Sequence, residues 1–486
     1  MSDAPKLEPI PIDKAIAARA AKAQKAAAIR QAKLDLALDE MGYARRFARA
    51  NATKLRYCPA AKEWYVWAAI RWARDDRNVA MKAAVEVIDG LALEAEQATS
   101  KDQRAAIFEA MATARRDRIA KAILSIASSD PSLVITPVEL DSHSNLLNTP
   151  GGTVDLRTGR IGDHLPEDLI TRLTGSLHDP KAECPRWKQF ISEIMDGDLE
   201  MISWLQTAVG YSVTASVAEQ VFFLCHGTGA NGKSVFIETI SAVLGDYARS
   251  TDAETFLHQP GGARIPSDLA ALVPVRFVAL PEVPAGRRLN EQRVKQFVGG
   301  DTIDVRELFG KWFNFRPIGK LWLTANEVPR ITERSHGMWR RVRLVPFNVQ
   351  FEGDARDRTL AKKLRAEYPG ILRWIVEGAV FWHQNGLGVP VKVAAATLAY
   401  EESQDPIAHW LADRCVRDSG QTSGKALFDS YVAWTEANAV EPIGRTLFGK
   451  ALHAAGFAQV RTKTSRAWAG ISLIAADEPY EPDENG

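Results

Sequence analysis

The segment Gly227-Thr228-Gly229-Ala230-Asn231-Gly232-Lys233-Ser234 fits the pattern G-x-x-x-x-G-K-[ST]. It joins an apolar run, Val221-Phe222-Phe223-Leu224-Cys225, to the helix-forming stretch Val235-Phe236-Ile237-Glu238-Thr239-Ile240. A strand that turns through glycines into a helix is the context in which backbone N–H groups converge on a polyphosphate. Glycines allow that approach because no Cβ stands in the way, and the positive end of the helix faces the anion. Residues 227–234 are therefore the candidate nucleotide-binding residues. Lys233 is expected on the β- and γ-phosphates and the Ser234 hydroxyl on Mg²⁺, so ATP and Mg²⁺ are the expected ligands. An ordinary glycine turn ahead of a core helix is the competing reading.

Three further stretches could act on a bound phosphate. Val275–Glu282 reads as an apolar strand ending in a carboxylate, and Glu282 could serve the Mg²⁺ or the attacking water. Apolar strands also end in surface charges, so this signal does not stand alone. Lys320–Asn326 is a second such strand that ends in an amide. Asn326 carries both a donor and an acceptor, which suits it to orient a water or sense a γ-phosphate; a turn-forming Asn ahead of Val328-Pro329 is the alternative. In Gly337-Met338-Trp339-Arg340-Arg341-Val342-Arg343, paired arginines precede the apolar residues 344–347. Either Arg340 or Arg341, supplied across a subunit boundary, could neutralise charge on a transferring phosphoryl group.

Between the acid and the amide the chain reads as a β-hairpin: Thr302–Leu308 outward, Phe309–Trp312 in the turn, Phe313–Arg316 returning. Lys311 then stands near the tip beside Phe309 and Trp312, a charge for a phosphate backbone and aromatic surface for bases. Arg306, Trp312 and Lys295 are counted with it as DNA-contact candidates. A purely structural hairpin with core aromatics is the alternative.

The elements that must hold these residues come from a chain of 486 residues with 46% hydrophobic content, which suggests about three domains. The net charge of +1 means that a nucleic-acid partner has to be argued from local patches. Cys58, Cys184, Cys225 and Cys415 form no C-x-x-C pair, so neither a zinc site nor a disulfide framework is indicated, and a reducing cytoplasm is expected. The polar start lacks a signal-peptide core. The uncharged stretch Met201–Ala218 contains Gln206, Gly210 and Tyr211 and reads as a buried helix.

Composition divides the chain into a basic, Ala-rich helical extension (1–40), an α+β domain rich in aromatics such as Trp64, Tyr65, Trp67 and Trp72 (41–180), an α/β domain around the glycine loop (181–390), a C-terminal domain (391–475) and an acidic tail (476–486). In the C-terminal domain Lys425–Asn438 and Gly444–Gly456 read as helices and Val460–Leu473 as two short strands around a wing. Phe428, Tyr431 and Trp434 recur three apart, as core positions do. From Val440 to Ile474 the basic residues Arg445, Lys450, Arg461, Lys463 and Arg466 face the single acid Glu441. That excess suits phosphate contacts, with a recognition helix in the major groove; a basic face that docks protein is the alternative.

Loop, acid, amide and arginines fall in this order within about 115 residues. Together with Gly286-Arg287-Arg288-Leu289-Asn290, Val294-Lys295 through Gly299-Gly300-Asp301, Asn148-Thr149-Pro150-Gly151-Gly152 and Tyr368-Pro369-Gly370-Ile371-Leu372, they make the chain resemble the superfamily 3 helicases of small DNA viruses, phages and plasmids. The likeness is to the helicase part of phage and plasmid primase-helicases, with poxvirus primase-helicases as more distant relatives.

The resemblance implies an α/β phosphate-loop ATPase core of AAA+-like type, an N-terminal α+β domain and a C-terminal winged helix. It implies Lys233 and Ser234 for nucleotide and Mg²⁺, Glu282 as the acid, Asn326 as sensor and Arg340 or Arg341 as finger. It further implies a homo-hexamer whose Lys311 hairpin enters the channel and moves 3′ to 5′ along single-stranded or forked DNA, in replication of a phage, prophage or plasmid element in the bacterial cytoplasm. Many viral relatives carry two adjacent acids where this chain has Pro281-Glu282, which leaves open whether Glu282 is base, metal partner or both. With about 40 residues ahead of the aromatic domain, a separate primase is the expected partner. A nucleotide-switched origin-binding ATPase and a small-molecule phosphotransferase are the competing functions.

Overall fold

The computed structural model describes residues 19–22, 24, 37–259, 267–306, 312–333, 335–353, 356–438, 442–461 and 466–474. Residues 19–22 and 24 are helical, as expected of the N-terminal extension; the rest of that extension and the acidic tail lie outside the described residues.

The N-terminal unit begins with the helix Glu40–Asn51, started by Asp39, whose carboxylate accepts the Gly42 N–H at 2.7 Å. A meander follows, β1 (Leu55–Cys58), β2 (Glu63–Trp67) and β3 (Trp72–Arg74), all antiparallel. Helices Val79–Glu96, Lys101–Ala114 and Asp117–Ala127 close over it with Phe47, Leu55, Ile88, Leu91 and Ile123 in the core. Trp72 and Tyr65 are buried with Cys58 and Ile135, so these aromatics pack this unit. A second meander, β4 (Leu146–Thr149), β5 (Gly152–Asp155) and β6 (Arg160–Gly162), turns at Gly152. There φ is +146° and a Cβ would lie 2.5 Å from the Gly162 oxygen, so only glycine fits.

Helices Pro185–Ile194 and Leu199–Val213 lead into a five-stranded sheet. Its strands are β7 (Phe222–His226), β8 (Ala248–Ser250), β9 (Phe277–Leu280), β12 (Lys320–Ala325) and β13 (Val342–Pro346), in the order β13-β7-β12-β9-β8. Every pair is parallel. A parallel sheet covered on both faces needs strands that are apolar throughout, and β9 and β12 are buried at every residue. Alternate residues divide between two cores. Phe223, Cys225, Ala279, Trp322 and Val345 face the helices Lys233–Leu244, Leu199–Val213 and Tyr368–Asn385. Phe222, Leu224, Val278, Leu280, Leu321 and Leu323 face Val294 and Phe297 of the helix Glu291–Gly299. Phe223, Trp322 and Phe277 stack in sequence across the first face, with centroids 4.2 and 5.5 Å apart.

Two buried cations fasten the sheet to what precedes it. Arg276 donates from Nη1 to the carbonyls of Leu146 (2.9 Å) and Val213 (3.0 Å) and from Nη2 to that of His143 (2.9 Å), with its guanidinium over the Tyr247 ring. The Lys320 ammonium donates to the carbonyls of Thr214 and Ile318 and lies over the Tyr211 ring. Together they cap the last carbonyls of the helix Leu199–Val213, where positive charge is favoured.

The hairpin inserted between β9 and β12 consists of β10 (Ile303–Arg306) and β11 (Trp312–Phe315). Trp312 belongs to the return strand, paired with Arg306, and not to the turn that the sequence suggests. Its aromatic side chain suits a strand position opposite a long side chain. Residues 307–311, including Lys311 and Phe309, lie outside the described residues.

Beyond the sheet, the helix Val391–Ser403 packs on β13, with the Thr397 hydroxyl accepting the Leu344 N–H at 3.1 Å. A C-terminal unit then forms its own core from Trp410, Leu427, Tyr431, Phe448, Leu452 and Trp468. It contains helices Pro406–Arg414, Gly424–Ala437 and Arg445–Ala454, a pair of β14 (Cys415–Val416) with β18 (Ser472–Leu473), and a sheet ordered β15 (Gln421–Ser423), β17 (Arg466–Ala469), β16 (Ala458–Arg461). No described helix is long and apolar enough to cross a membrane.

Candidate functional site

The glycine loop emerges from the carboxyl end of β7, and the chain later returns to either side of that strand, as β12 on one side and β13 on the other. In open α/β sheets such a switch in strand order opens a crevice at the carboxyl ends, where ligands bind. Gly229, Ala230 and Gly232 all have positive φ (+109°, +49° and +83°), the left-handed conformation that turns successive N–H groups toward one side. At Gly232 a Cβ would lie 2.7 Å from Ile194, so the loop is seated on the helix Pro185–Ile194. Glu367 fixes that helix by accepting the N–H groups of Arg186 (3.0 Å) and Trp187 (2.9 Å). Thr228 is exposed and Asn231 buried.

Lys233 opens the following helix and is only 6% exposed. Its ammonium donates to the Gly227 carbonyl (2.6 Å), Asn231 Oδ1 (2.9 Å) and Asn326 Oδ1 (3.2 Å). Burial lowers its pKa from the ordinary lysine value. The next residue, Ser234, is exposed in the first turn of the helix.

Register explains why Asn326 meets Lys233. Thr324 pairs with Cys225 and Ala325 with His226, so Asn326 leaves β12 level with Gly227. On the other side of β12, Leu280 pairs with Leu323, which brings Pro281 and Glu282 to the same edge. The Glu282 N–H donates to Thr324 Oγ1 (3.0 Å) and the Val283 N–H to the Thr324 carbonyl (2.9 Å). Glu282 holds φ at +51°, a conformation an L-residue keeps only where its surroundings impose it. Its carboxylate is exposed and, with Asp252 and Glu254, lines a cleft of about 390 Å³. Arg287 holds Glu254 through two hydrogen bonds of 2.6 and 2.9 Å.

The arginines stand at the other end of the sheet. Val342 pairs with Phe222 at the start of β7, and the Phe222 N–H donates to the Arg341 carbonyl. Five residues of strand, about 16 Å, therefore separate Arg340 and Arg341 from the glycine loop of the same chain. Arg340 is exposed and donates to Gln220 Oε1 at 2.7 Å. Arg341 is partly buried, donates to the Gly337 carbonyl, and has its pKa lowered by burial and then by the Arg340 charge.

The DNA-contact candidates are dispersed. Trp312 is 60% exposed and Arg306 half-buried beside it. Lys295 is engaged by Glu333, with both carboxylate oxygens within 2.8 Å, and this bond holds the Glu333 carboxyl below its usual range. Arg445 lies over the Phe428 ring with Asp429 at 3.6 Å. Arg461 and Arg466 face each other, both exposed, across β16 and β17; Lys463 lies outside the described residues. The four cysteines are unpaired.

Asn231, one of the loop candidates, and two residues that the sequence does not single out, His226 and Gln350, complete the loop's surroundings. His226, at the end of β7, is hydrogen-bonded to the Asn326 backbone, and burial followed by the Lys233 charge lowers its pKa. The Asn231 side chain bonds both Lys233 and the Phe347 carbonyl (3.1 Å), and Gln350 donates to Thr228 Oγ1 at 2.6 Å. His226 directly precedes the glycine loop, which is the one signal that could have found it, and Gln350 carries none.

Comparison with known proteins agrees with this architecture. A family model described as D5 N terminal like matches residues 44–196, and a family of unknown function (DUF5906) matches residues 225–341. A protein of Acanthamoeba polyphaga mimivirus named as a candidate helicase is 26% identical over 314 residues, 60% of this chain and 33% of that protein. A candidate helicase of Frog virus 3 is 25% identical over 365 residues, 68% of this chain and 37% of that protein. A candidate primase of African swine fever virus is 23% identical over 328 residues, 62% of this chain and 34% of that protein. The chain thus spans about a third of the length of these relatives. The apo C-terminal region of NrS-1 shares the fold, with a TM-score of 0.52 at 11% identity over 88% of this chain and 98% of that one. The class these matches define is an α/β protein built on a parallel sheet. Within it, the chain is similar to the primase-helicase proteins of phages and large DNA viruses.

Proposed function

We propose that the chain is an ATP-dependent, ring-forming DNA helicase of the superfamily 3 type, moving 3′ to 5′ in replication of a viral, phage or plasmid element. The observation that carries this reading is the meeting of Lys233 with Asn326 at the carboxyl edge of the sheet, while Arg340 stands at the opposite end. A loop lysine bonded to a strand-end amide is an arrangement for contacting and sensing a terminal phosphate. An exposed arginine about 16 Å of strand away serves a neighbour and not its own loop.

The residues fit a triphosphate with Mg²⁺. The left-handed loop supplies N–H groups, and each of the three acceptors of the Lys233 ammonium can be replaced by a phosphate oxygen. Ser234 and Glu282 would hold Mg²⁺, which when bound neutralises charge on the phosphoryl oxygens. Lys233 donates to the phosphates, and Asn326 orients the water that attacks the terminal phosphorus. Glu282 accepts that water's proton or supports the metal, and Arg340 of the adjacent protomer offsets the charge that develops. The hairpin carrying Arg306, Lys311 and Trp312 grips the DNA strand in the ring, and the C-terminal unit acts as a winged helix, with Arg445, Arg461, Lys463 and Arg466 on phosphates. Lys295, held by Glu333, contributes to DNA contact only where that pair opens. The viral relatives, named as candidate helicases and primases, support a replication role, and a separate primase is the proposed partner.

Strand displacement on forked DNA with ATP and Mg²⁺ tests the reading. Wild type unwinds; Lys233→Ala loses ATPase and unwinding by at least about a hundredfold, and Lys311→Ala keeps ATPase while losing unwinding. Absence of unwinding by wild type under every loading condition would leave a nucleotide switch as the function.

A further inference from the structure

The segment that follows β13 is wrapped around the glycine loop. Phe347 N–H donates to the His226 carbonyl (2.8 Å), Phe351 N–H to the Ala230 carbonyl (2.8 Å), Asn231 Nδ2 to the Phe347 carbonyl (3.1 Å) and Gln350 Nε2 to Thr228 Oγ1 (2.6 Å). The packing is close: a Cβ on Gly227 would lie 2.3 Å from the Phe347 oxygen and 2.1 Å from Asn231 Nδ2. The same strand begins at the arginine turn, since Arg341 immediately precedes Val342. β13 is an edge strand, held by β7 on one side and by the helix Val391–Ser403 beyond.

Asn231 joins the two ends of this arrangement. It is 3% exposed, its Oδ1 accepts from the Lys233 ammonium and its Nδ2 donates to the Phe347 carbonyl. The ammonium has three donors and all three are engaged, by Gly227, Asn231 and Asn326. When the ammonium turns toward a phosphate, Asn231 Oδ1 becomes a buried acceptor without its donor. Such an atom either finds a new partner by rotation of the amide or destabilises the state it is in. Rotation of the amide breaks the bond to Phe347.

We propose that Asn231 is a positioning residue that relays filling of the loop to β13, and through that strand to the Arg340–Arg341 turn offered to the next protomer. This inference rests on the nucleotide-site reading above. Gln350 is the second tether, acting from the exposed side of the loop. A strand with two discrete arrangements, each favoured by one state of the lysine, is the kind of element through which one site biases another.

Hydrogen exchange of the full chain, with and without a non-hydrolysable ATP analogue and Mg²⁺, tests this alongside titration of a fluorescent nucleotide. In wild type the analogue changes exchange both at 227–234 and at the amides of 342–351. Asn231→Asp keeps an acceptor for Lys233 but sets an oxygen against the Phe347 carbonyl. Read at nucleotide concentrations that saturate the variant, it is expected to lose most of the change at 342–351 and to lower kcat about tenfold. Gln350→Ala, an exposed substitution that leaves folding intact, loses part of the same change. Nucleotide binding by wild type with exchange altered only at 227–234, or an undiminished change at 342–351 in Asn231→Asp, overturns the relay and leaves the site reading standing. Failure of wild type to bind nucleotide overturns both.

Discussion

Lys233 spends its three donors on Gly227, Asn231 and Asn326 in a pocket that leaves it 6% exposed. Among the described residues no carboxylate bonds it, and burial lowers the pKa below that of an ordinary lysine. The sign for ligand binding follows directly: the charged form attracts phosphate, and the pKa of the unliganded protein fixes where that form begins to be lost as pH rises. Affinity for an ATP analogue, measured by titration between pH 7 and 10, is therefore expected to fall at a lower pH than the one at which an ordinary lysine loses its charge. A flat profile over that range would contradict the lowered pKa of Lys233. At this scale the placement of Lys233, Ser234, Glu282, Asn326 and the arginine pair at the ends of strands is legible in the sequence, because each adjoins a continuous apolar strand or closes the glycine loop. The partners of Lys295 and Asn231 are not. Glu333 lies 38 residues from Lys295 and Phe347 lies 116 residues from Asn231, and only the folded sheet brings them together.

Strands β7, β9 and β12 are readable as elements for a physical reason: a parallel strand buried on both faces must be apolar throughout. The same logic hides Arg276 and Lys320, charged residues at strand starts that look like surface positions but are 2% and 1% exposed. They tie the sheet to the helix Leu199–Val213 and to residues 143–146 through backbone carbonyls, which carry no side-chain signature. Arg276→Met leaves three carbonyls unpaired and is expected to lower the unfolding free energy by about 3 kcal/mol, read from urea denaturation of the full chain. A loss under about 1 kcal/mol would mean that water or neighbouring donors replace the guanidinium. Register is equally hidden. The sequence indicates a hairpin between acid and amide but sets Trp312 in its turn, whereas pairing with Arg306 makes it the first residue of β11.

The whole molecule sets a parallel sheet between an N-terminal helix-and-meander unit and a C-terminal unit with its own core. The two matched family regions, 44–196 and 225–341, fall on the first unit with the approach to the sheet and on the sheet itself. The candidate site groups occupy opposite ends of that sheet: Lys233, Asn326 and Glu282 at the carboxyl edge, Arg340 and Arg341 at the amino edge. In a ring of identical protomers, a heterologous interface repeats the same contact around the circle. The amino edge of one chain can then complete the carboxyl edge of the next. This shared site is the centre of the proposed function, and mixing two inactive variants tests it most directly. Lys233→Ala lacks the loop lysine but offers Arg340; Arg340→Ala lacks the arginine but keeps the loop. In an equal, freely exchanging mixture about a quarter of the interfaces pair an intact loop with an intact arginine, so ATPase is expected to return to about that fraction of wild type. If each variant assembles and the mixture stays as inactive as its parts, the site is not shared between protomers.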